Sequence, residues 1–362
     1  MYHRLAVLIL LFLSSGCRVR GPVDSGTPET DCEYADYFSI LYSSSDSSEV
    51  AGVVSISPYD GWRDTLLIDA PLDEIICMST SGVASLAAVG ADSSIVAVSG
   101  LKYITNPAIS DRGESGDILD IGYESSLNYE TVLRLNPDLL IAYTVGDTQP
   151  PYLMKLRRLG IRVLVVFDHM EHHPLARAEY VKLYGALTGR LASAEEFFTK
   201  VRDNYIETCT ENSGCRKKVL LNVPYADVWY VPGTGNYMSR LIRDAGGEVL
   251  GSMQGTSASE AISMEDAYRL SLEADIWLCP GHCRTRSQLS SFHHLFPYFG
   301  PLAKNLPVFN NILRTNPSGG NDFYESGSIR PDLILQDLKS ILNASDNHAG
   351  LDELQLTYFM KL

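Results

Sequence analysis

The chain has 362 residues, of which 45% are hydrophobic and 20% are charged, a composition that suits a folded protein of about two domains. Its formal net charge is −15, and its 29 lysines and arginines are scattered along the chain. Because a nucleic-acid-binding protein needs a basic patch, this charge distribution argues against nucleic acid as a partner.

The amino terminus predicts export. MYHR carries one arginine, LAVLILLFL is wholly apolar, and SSGC follows. This order is typical of a signal peptide, here residues 1–16, whose apolar part is too short to span a membrane. The small residues before Cys17 resemble a bacterial lipobox, although Leu13 lies one place further from the cysteine than usual. We expect lipidation at Cys17, the alternative being a plain signal peptide with an incidental cysteine.

Residues 17–35 are rich in Pro, Gly, Ser and Thr and predict a lipidated tether. The protein is therefore expected in the periplasm or cell envelope, anchored to a membrane by lipid. Outside the cytoplasm cysteines can oxidise, and six remain after Cys17. The local candidates for disulfides are Cys209 with Cys215 and Cys279 with Cys283, while Cys32 and Cys77 have no neighbour in sequence; the pairing itself stays open.

Residues 36–73 alternate polar and apolar positions in short bursts and predict a small antiparallel β segment. From residue 74 to 170 short apolar strands alternate with helices. IICMS is a strand, Ser79 or Thr80 can cap the helix that follows, and IVAVS is the next strand. Such alternation predicts a mainly parallel sheet covered on both faces, which forms an N-terminal α/β lobe.

Residues 171–212 show helical periodicity, with Pro174 near the start and a break at Thr188–Gly189, and predict a helical connector. Strands and helices then alternate again over 213–345, which predicts a C-terminal α/β lobe followed by a tail, 346–362.

The two lobes contain a sequence repeat. NYETVLRLNPDLLIAY (128–143) aligns with SMEDAYRLSLEADIWL (263–278), so that Glu130 matches Glu265 and Arg134 matches Arg269. A chance match between two helix–strand units is the alternative. Two similar lobes leave a cleft between their strand ends, where α/β sheets place ligands.

Four stretches, 75–100, 120–143, 228–247 and 314–338, together carry a resemblance to a known family. They resemble the substrate-binding proteins of bacterial ABC importers for ferric siderophores, haem and vitamin B12, in a branch common among Bacteroidota lipoproteins. The resemblance covers nearly the whole chain after the tether. It implies two similar lobes with mainly parallel sheets joined by a long helical connector, the class III periplasmic-binding-protein fold.

The resemblance also implies partners. A glutamate at the top of each lobe docks onto arginines of the membrane permease, which in turn engages an ATPase, and these glutamates map onto Glu130 and Glu265. Each lies near a helix start, where an acid can also simply stabilise the helix dipole. The ligand is implied to lie in the cleft between the lobes, and the helical connector should limit lobe closure. We expect a monomer.

Loop positions after strands supply the candidate ligand-binding residues. The stretch GGNDFYESG (319–327) is too polar for a core strand and too rich in glycine for a helix, so it predicts a loop at the cleft. For each candidate, packing or turn capping is the alternative. The candidates are Tyr59, Trp62, Thr80, Tyr103 and Asn106 in the N-terminal lobe, and Trp229, Tyr230, Tyr237, Arg314, Asn321, Asp322, Tyr324 and Glu325 in the C-terminal lobe.

We expect a carrier of an iron complex, siderophore or haem, with no cofactor and no enzymatic activity. The sequence contains no G-x-S-x-G elbow, no P-loop and no H-E-x-x-H motif, which argues against a hydrolase. A cobalamin receptor of the same family is one alternative. A zinc or manganese carrier is another, since His169, His172 and His173 lie together in FDHMEHHP, but no complete set of four ligands is visible. His282 in CPGHC offers only a fragment of a metal site.

Overall fold

The computed structural model describes residues 29–43, 49–209, 216–344, 350–351 and 353–362. The predicted signal peptide, Cys17, the first part of the tether, Cys215 and residues 345–349 of the C-terminal region lie outside the described residues.

The chain enters through a four-stranded antiparallel sheet in the order β1-β2-β3-β4. Phe38 and Val53 are buried in the core, in strands whose middle residues are buried on both faces. Gly52 lets the backbone of Leu66 approach closely, because a Cβ at position 52 would overlap the Leu66 carbonyl oxygen. The strands are β1 (Glu29–Asp31), β2 (Phe38–Tyr42), β3 (Val50–Ile56) and β4 (Arg63–Leu67).

The N-terminal lobe is a five-stranded parallel sheet in the order β7-β6-β5-β8-β9, with helices between the strands. The strands Ile75–Cys77 and Val163–Val166 are buried along their length, and Leu139–Tyr143 is buried except at Tyr143, as expected for a sheet covered on both faces. The elements are β5 (Ile75–Cys77), α1 (Thr80–Ala88), β6 (Ile95–Val98), α2 (Pro107–Ser115), β7 (Leu119–Asp120), α3 (Tyr129–Leu135), β8 (Leu139–Tyr143), α4 (Pro151–Arg158) and β9 (Val163–Val166).

The connector is a pair of packed helices, α5 (Pro174–Leu187) and α6 (Leu191–Thr208). Thr188 caps α5 and Gly189 follows at φ 67°, a left-handed conformation that turns the chain between the helices. Helix α5 is buried on almost every side because it packs against α1 and the entry sheet as well as against helices of the second lobe.

The C-terminal lobe repeats the design with the strand order β12-β10-β14-β15-β16, in which only β16 is antiparallel. Strands β11 and β13 form a separate antiparallel pair. The elements are β10 (Lys217–Leu221), β11 (Trp229–Pro232), α7 (Tyr237–Asp244), β12 (Gly247–Val249), β13 (Ser259–Ile262), α8 (Met264–Ser271), β14 (Ile276–Leu278), α9 (Arg286–Phe292), α10 (Gly300–Ala303), β15 (Val308–Asn310), α11 (Ser326–Ile329), α12 (Pro331–Asn343) and β16 (Met360–Lys361).

The sequence repeat corresponds to equivalent positions in the two sheets. Strand β8 lies between β5 and β9, and β14 lies between β10 and β15. The aspartate before each strand has the same role: Asp138 accepts hydrogen bonds at 3.0 Å from the amides of Asp73 and Glu74, and Asp275 accepts one at 2.8 Å from the amide of Lys218. Both aspartates therefore fix the start of the neighbouring strand.

One hydrophobic core runs from the entry sheet and the first lobe through α5 and α6 into the second lobe, so the connector joins the lobes by packing as well as by chain. The α/β fold class with two parallel-stranded lobes, predicted from the sequence, is confirmed. Within the described ranges, no helix combines the length and the apolar character needed to cross a bilayer.

Candidate ligand-binding site

Two cavities lie between the lobes, and Tyr324 lines both of them. Their volumes, about 630 Å³ for the outer cavity and about 330 Å³ for the inner one, suit small-molecule ligands. The outer cavity is lined by Thr80, Tyr103, His282, Arg284, Ile312, Thr315, Asn316, Pro317, Gly319, Gly320, Asn321 and Tyr324. The inner cavity is lined by Ser81, Asp168, His169, Arg177, Asn222, Tyr237, Met238, Cys279, Asn311, Phe323, Tyr324 and Ser328.

The parallel sheets explain this placement. Asn222, Cys279 and Asn311 each directly follow a C-lobe strand, so all three lie at the carboxyl edge of one sheet and line the inner cavity. From the first lobe, helix α1 brings Thr80 and Ser81 to the cavities at its first turn. The cleft expected from the strand-end rule is therefore present.

The loop 319–327 holds the lobes together through Glu325. This carboxylate is 2% exposed and accepts hydrogen bonds from the backbone amides of Thr105 at 2.6 Å and Asn106 at 2.8 Å, both in the other lobe. Burial raises the pKa of Glu325, and the bonds from Thr105 and Asn106 counteract part of that rise. Its oxygens are thus engaged by protein groups, and they are not directed at a ligand.

Asp322 has a similar role. Its carboxylate accepts a hydrogen bond from the Thr105 hydroxyl at 3.1 Å and forms an ion pair with Arg314 at 2.9 Å. The sequence suggested that Arg314 binds a ligand carboxylate, but the structure pairs it with Asp322, and Arg314 is not among the residues that line either cavity.

Further contacts complete what we call the interlobe clasp, formed by Asn316, Gly320, Asp322 and Glu325 against residues 102–106. The Asn316 amide donates at 3.0 Å to the carbonyls of Lys102 and Ile104, and a Cβ at position 320 would overlap the Tyr103 carbonyl oxygen. The clasp joins the two lobes beside the outer cavity.

Two tyrosines from opposite lobes face the outer cavity. Tyr324 is 62% exposed and Tyr103 is 37% exposed, although both lie at the interlobe contact. The Tyr324 carbonyl accepts a hydrogen bond at 3.2 Å from the Thr80 hydroxyl, which fixes its backbone, while Asn321 donates to the Asn311 carbonyl at 3.0 Å and braces the same loop. The phenol rings are therefore available to a ligand on a rigid backbone.

The structure corrects the expectation for Trp229. Its side chain is 1% exposed, its Nε1 donates to the Leu221 carbonyl at 3.1 Å, and it stacks on Phe299 within the core of the C-terminal lobe. Tyr237 does line the inner cavity, where the guanidinium of Arg177 lies 4.1 Å from the centre of its ring.

Four other candidates are not among the residues that line the two cavities. The Tyr59 hydroxyl donates to the Thr144 carbonyl at 3.2 Å. The guanidinium of Arg157 lies over the Trp62 ring, 5.4 Å from the ring centre. Tyr230 is exposed on β11. The side chain of Asn106 caps α2, which is the turn-capping alternative considered from the sequence.

Sequence reasoning missed four residues that line the cavities, His282 and Arg284 in the outer cavity and Asp168 and Arg177 in the inner one. The signal for the first pair was present, since both residues follow the predicted strand ADIWLC, but CPGHC was considered only as a disulfide or metal fragment. Cys279 and Cys283 are not joined by a disulfide. Burial raises the pKa of the Cys279 thiol to about 12.

His169, His172 and His173 do not come together to form a metal site. Among the described residues, no group of three or more His, Cys, Asp or Glu side chains is placed to hold a metal ion. His169 lies at the inner cavity, His172 is exposed, and the Nδ1 of His173 accepts a hydrogen bond from the Leu175 amide at 3.0 Å. Burial lowers the pKa of His173 to about 4, so it is neutral while it caps α5.

Glu130 and Glu265 occupy equivalent positions. Each is the second residue of its helix, α3 or α8, and each is exposed. The helix caps are Asn128 and Ser263, whose side chains accept hydrogen bonds from Thr131 and Asp266, so the glutamates are not needed as caps. Neither glutamate forms an ion pair with another of the described residues.

Residues 75–293 match the family model described as periplasmic binding protein. The chain belongs to this family. Periplasmic binding proteins of this type are the solute-binding components of ABC importers, take small ligands and are not enzymes. This membership supports an extracytoplasmic location.

A curated relative of this periplasmic binding protein is an uncharacterized lipoprotein of Methanocaldococcus jannaschii, 26% identical over 289 residues that cover 76% of our chain. The chain spans 66% of that relative's length.

Solved structures share the fold at low identity. A periplasmic binding protein from Veillonella parvula has a TM-score of 0.59 at 13% identity and covers 80% of this chain and 97% of its own. A periplasmic haem-binding protein from Pseudomonas aeruginosa has a TM-score of 0.56 at 19% identity, with 80% and 98% covered. One from Vibrio cholerae has a TM-score of 0.57 at 18% identity, with 75% and 98% covered. These likenesses show the fold.

Proposed function

We propose that this periplasmic binding protein captures an iron complex, a siderophore chelate or haem, in the outer cavity and delivers it to an ABC permease. One observation carries the proposal: a cavity of about 630 Å³ between the lobes presents an exposed tyrosine from each lobe, Tyr103 and Tyr324. Aromatic rings with polar edges suit a large ligand that combines flat apolar faces with oxygen groups.

The rigidity of the cleft supports a bulky and rigid ligand. The connector shares a continuous core with both lobes, and the interlobe clasp joins them a second time through Glu325 and Asn316. Because the cavity is held in shape before binding, little ordering entropy is lost when a rigid ligand enters. Two structural neighbours are haem-binding proteins of Pseudomonas aeruginosa and Vibrio cholerae, and this favours the same ligand class.

Delivery requires attachment and docking, which we include in the proposal. Lipidation at Cys17 would hold the protein at the membrane, and the lipoprotein relative supports such an anchor. Glu130 and Glu265 would meet arginines of the permease, one from each lobe, because both are exposed and neither caps its helix.

Titration of the purified full-length chain tests the ligand class. The probes are haemin, a ferric tris-catecholate, a ferric tris-hydroxamate, cyanocobalamin and zinc chloride, each followed by quenching of intrinsic fluorescence and by calorimetry. We expect saturable binding, with one equivalent bound, for at least one of the three iron complexes. If cyanocobalamin or zinc binds and none of the three iron complexes does, the proposal is contradicted.

A further inference from the structure

The charge of the outer cavity is opposite to that of the chain. The formal net charge is −15, yet among the described residues that line this cavity there is no aspartate or glutamate. Arg284 is the charged residue in that lining, and His282 lies beside it. A cavity of this composition attracts anions even though the protein as a whole repels them.

Three carboxylates close to the cavity are already bound by protein groups. Asp322 is paired with Arg314, and Glu325 accepts bonds from two backbone amides of the other lobe. Asp120, below the loop that carries Tyr103, accepts hydrogen bonds from the amides of Gly100 and Leu101 at 3.0 and 2.9 Å. Protein donors therefore partly balance their negative charge, and Arg284 is the charged side chain that lines the cavity itself.

The loop that carries Arg284 is rigidly built. The side chain of Asn310 is fully buried and donates to the carbonyls of Gly281 at 2.9 Å and Cys283 at 2.7 Å. Cys279 and Gly281 adopt left-handed backbone conformations, at φ 57° and 64°, which turn the chain back toward the cavity.

The guanidinium of Arg284 is held along one edge. Its Nη2 donates to the Ile312 carbonyl at 3.5 Å and to the Thr315 hydroxyl. An arginine has five N–H donors, so donors on Nε and Nη1 remain for a ligand, apart from a long contact of Nη1 with the Met360 sulfur at 3.8 Å. An exposed but oriented guanidinium is suited to bind a carboxylate or catecholate oxygen.

The opposite wall adds positive potential. The ammonium of Lys102 lies 4.9 Å from the centre of the Tyr103 ring, and Thr80 is the first residue of α1, whose amino-terminal end carries a partial positive charge. A ligand between Tyr103 and Tyr324 would thus meet positive charge from both lobes.

We infer that the outer cavity selects negatively charged chelates and that Arg284 is the residue that recognises their charge. This inference rests on the proposed function and narrows it to anionic iron complexes, in preference to neutral ones of similar size.

A pair of chelates that differ in charge tests the inference. A ferric tris-catecholate is an anion, and a ferric tris-hydroxamate of similar size is neutral. We expect the wild-type protein to bind the anion more tightly, and Arg284→Gln to weaken its binding about tenfold or more, because a hydrogen bond to a charged partner is lost. The same substitution should change affinity for the neutral chelate less than about twofold, a difference within the usual spread of neutral contacts.

Two variants control for folding and for total charge. Arg284→Lys keeps the charge and should retain most of the preference for the anion. Arg158→Gln removes one exposed positive charge on α4, outside both cavity linings, and should leave both affinities unchanged. Thermal melting verifies that each variant is folded.

The outcomes separate this inference from the proposed function. A wild-type preference for the neutral chelate, or equal weakening of both chelates by Arg284→Gln in a folded protein, overturns the inference and leaves the iron carrier intact. Failure of the wild-type protein to bind either of these chelates or haemin contradicts the proposed function, and the inference falls with it.

Discussion

At the scale of a single residue, Tyr324 is the side chain that the two cavities share. Its side chain lines both, and its hydroxyl accepts a long hydrogen bond, 3.4 Å, from the side-chain amide of Asn311 at the carboxyl edge of the C-lobe sheet. Phe323, the preceding residue, is buried and packs edge-on against the Tyr324 ring. The phenol is therefore placed by its neighbours while much of its surface stays open.

Truncation of this side chain should weaken binding. We expect Tyr324→Ala to lower the affinity for whichever iron complex binds by about tenfold or more. The reason is that the free energy gained by burying an aromatic side chain against the ligand is lost. Tyr298→Ala is the matched control, since Tyr298 is 64% exposed but is not part of either cavity lining. Calorimetry on both variants checks the result, and equal affinities for the two would remove Tyr324 from the site.

Sequence patterns predicted loop positions better than side-chain directions. Trp229 and Tyr230 were predicted to follow a strand, but both lie within β11. Trp229 faces the core and Tyr230 is exposed, because adjacent residues of a strand point to opposite sides. Arg314 and Arg284 both follow C-lobe strands. Arg314 is paired with Asp322, whereas Arg284 lines the outer cavity and can contact a ligand. Such a choice depends on a contact between residues, which periodicity cannot show.

At the scale of elements, α5 and the segment before it hold the entry segment. The Glu171 carboxylate accepts hydrogen bonds from the amides of Asp36 and Tyr37, and Glu179 accepts bonds from the amides of residues 33–35 and pairs with Lys182. Both carboxylates are buried. The segment that leads from the predicted tether into the folded body is thereby fixed to the connector by its backbone.

This arrangement predicts a pH dependence of stability. Burial raises the pKa of Glu171 from 4.5 to about 8. Between those values the folded protein retains a proton that the unfolded chain releases, so the free energy of unfolding falls as pH rises, by up to about 1.4 kcal/mol per pH unit. Glu171→Gln stays uncharged, so its stability relative to wild type should increase from pH 4.5 to 8.

Urea unfolding at several pH values measures this difference. Glu196→Gln, which removes an exposed carboxylate on α6, should show a constant difference from wild type. A pH-independent difference for Glu171→Gln as well would mean that Glu171 ionises normally in the folded protein.

Elements were more predictable than their contacts. The connector, its turn at Thr188–Gly189 and the alternating strands and helices follow from periodicity, glycine and proline positions. The role of the loop 319–327 as half of an interlobe clasp could not be predicted in this way. Its partners in residues 102–106 are more than 200 positions away in sequence. Apart from the Thr105 hydroxyl, they bind through backbone groups, which have no sequence signal.

At the scale of the whole molecule, the repeat gives each lobe one exposed glutamate at the same place. Glu130 and Glu265 lie in the first turns of α3 and α8, helices that precede the equivalent strands β8 and β14. These helices run antiparallel to the strands that follow, so their first turns lie at the carboxyl edges of the sheets, the edges that border the cleft. Because the clasp and the shared core fix one lobe against the other, the distance between the glutamates is fixed as well.

A fixed pair of charges suits a rigid permease surface and predicts a selective loss of transport. Reversal of both charges, Glu130→Lys with Glu265→Lys, should abolish uptake of the bound iron complex, because loss of each buried charge contact at an interface costs about 2–5 kcal/mol. Affinity for the ligand should stay within about twofold of wild type, since neither residue lines a cavity. The control pair Glu114→Lys with Glu248→Lys makes the same change in net charge at other exposed positions, one in each lobe. Uptake of the radiolabelled complex by cells that carry the cognate permease, together with calorimetry on the purified variants, separates docking from capture. If the doubly reversed protein still supports uptake at the level of the control pair, the glutamates serve only their own helices and the permease recognises another surface.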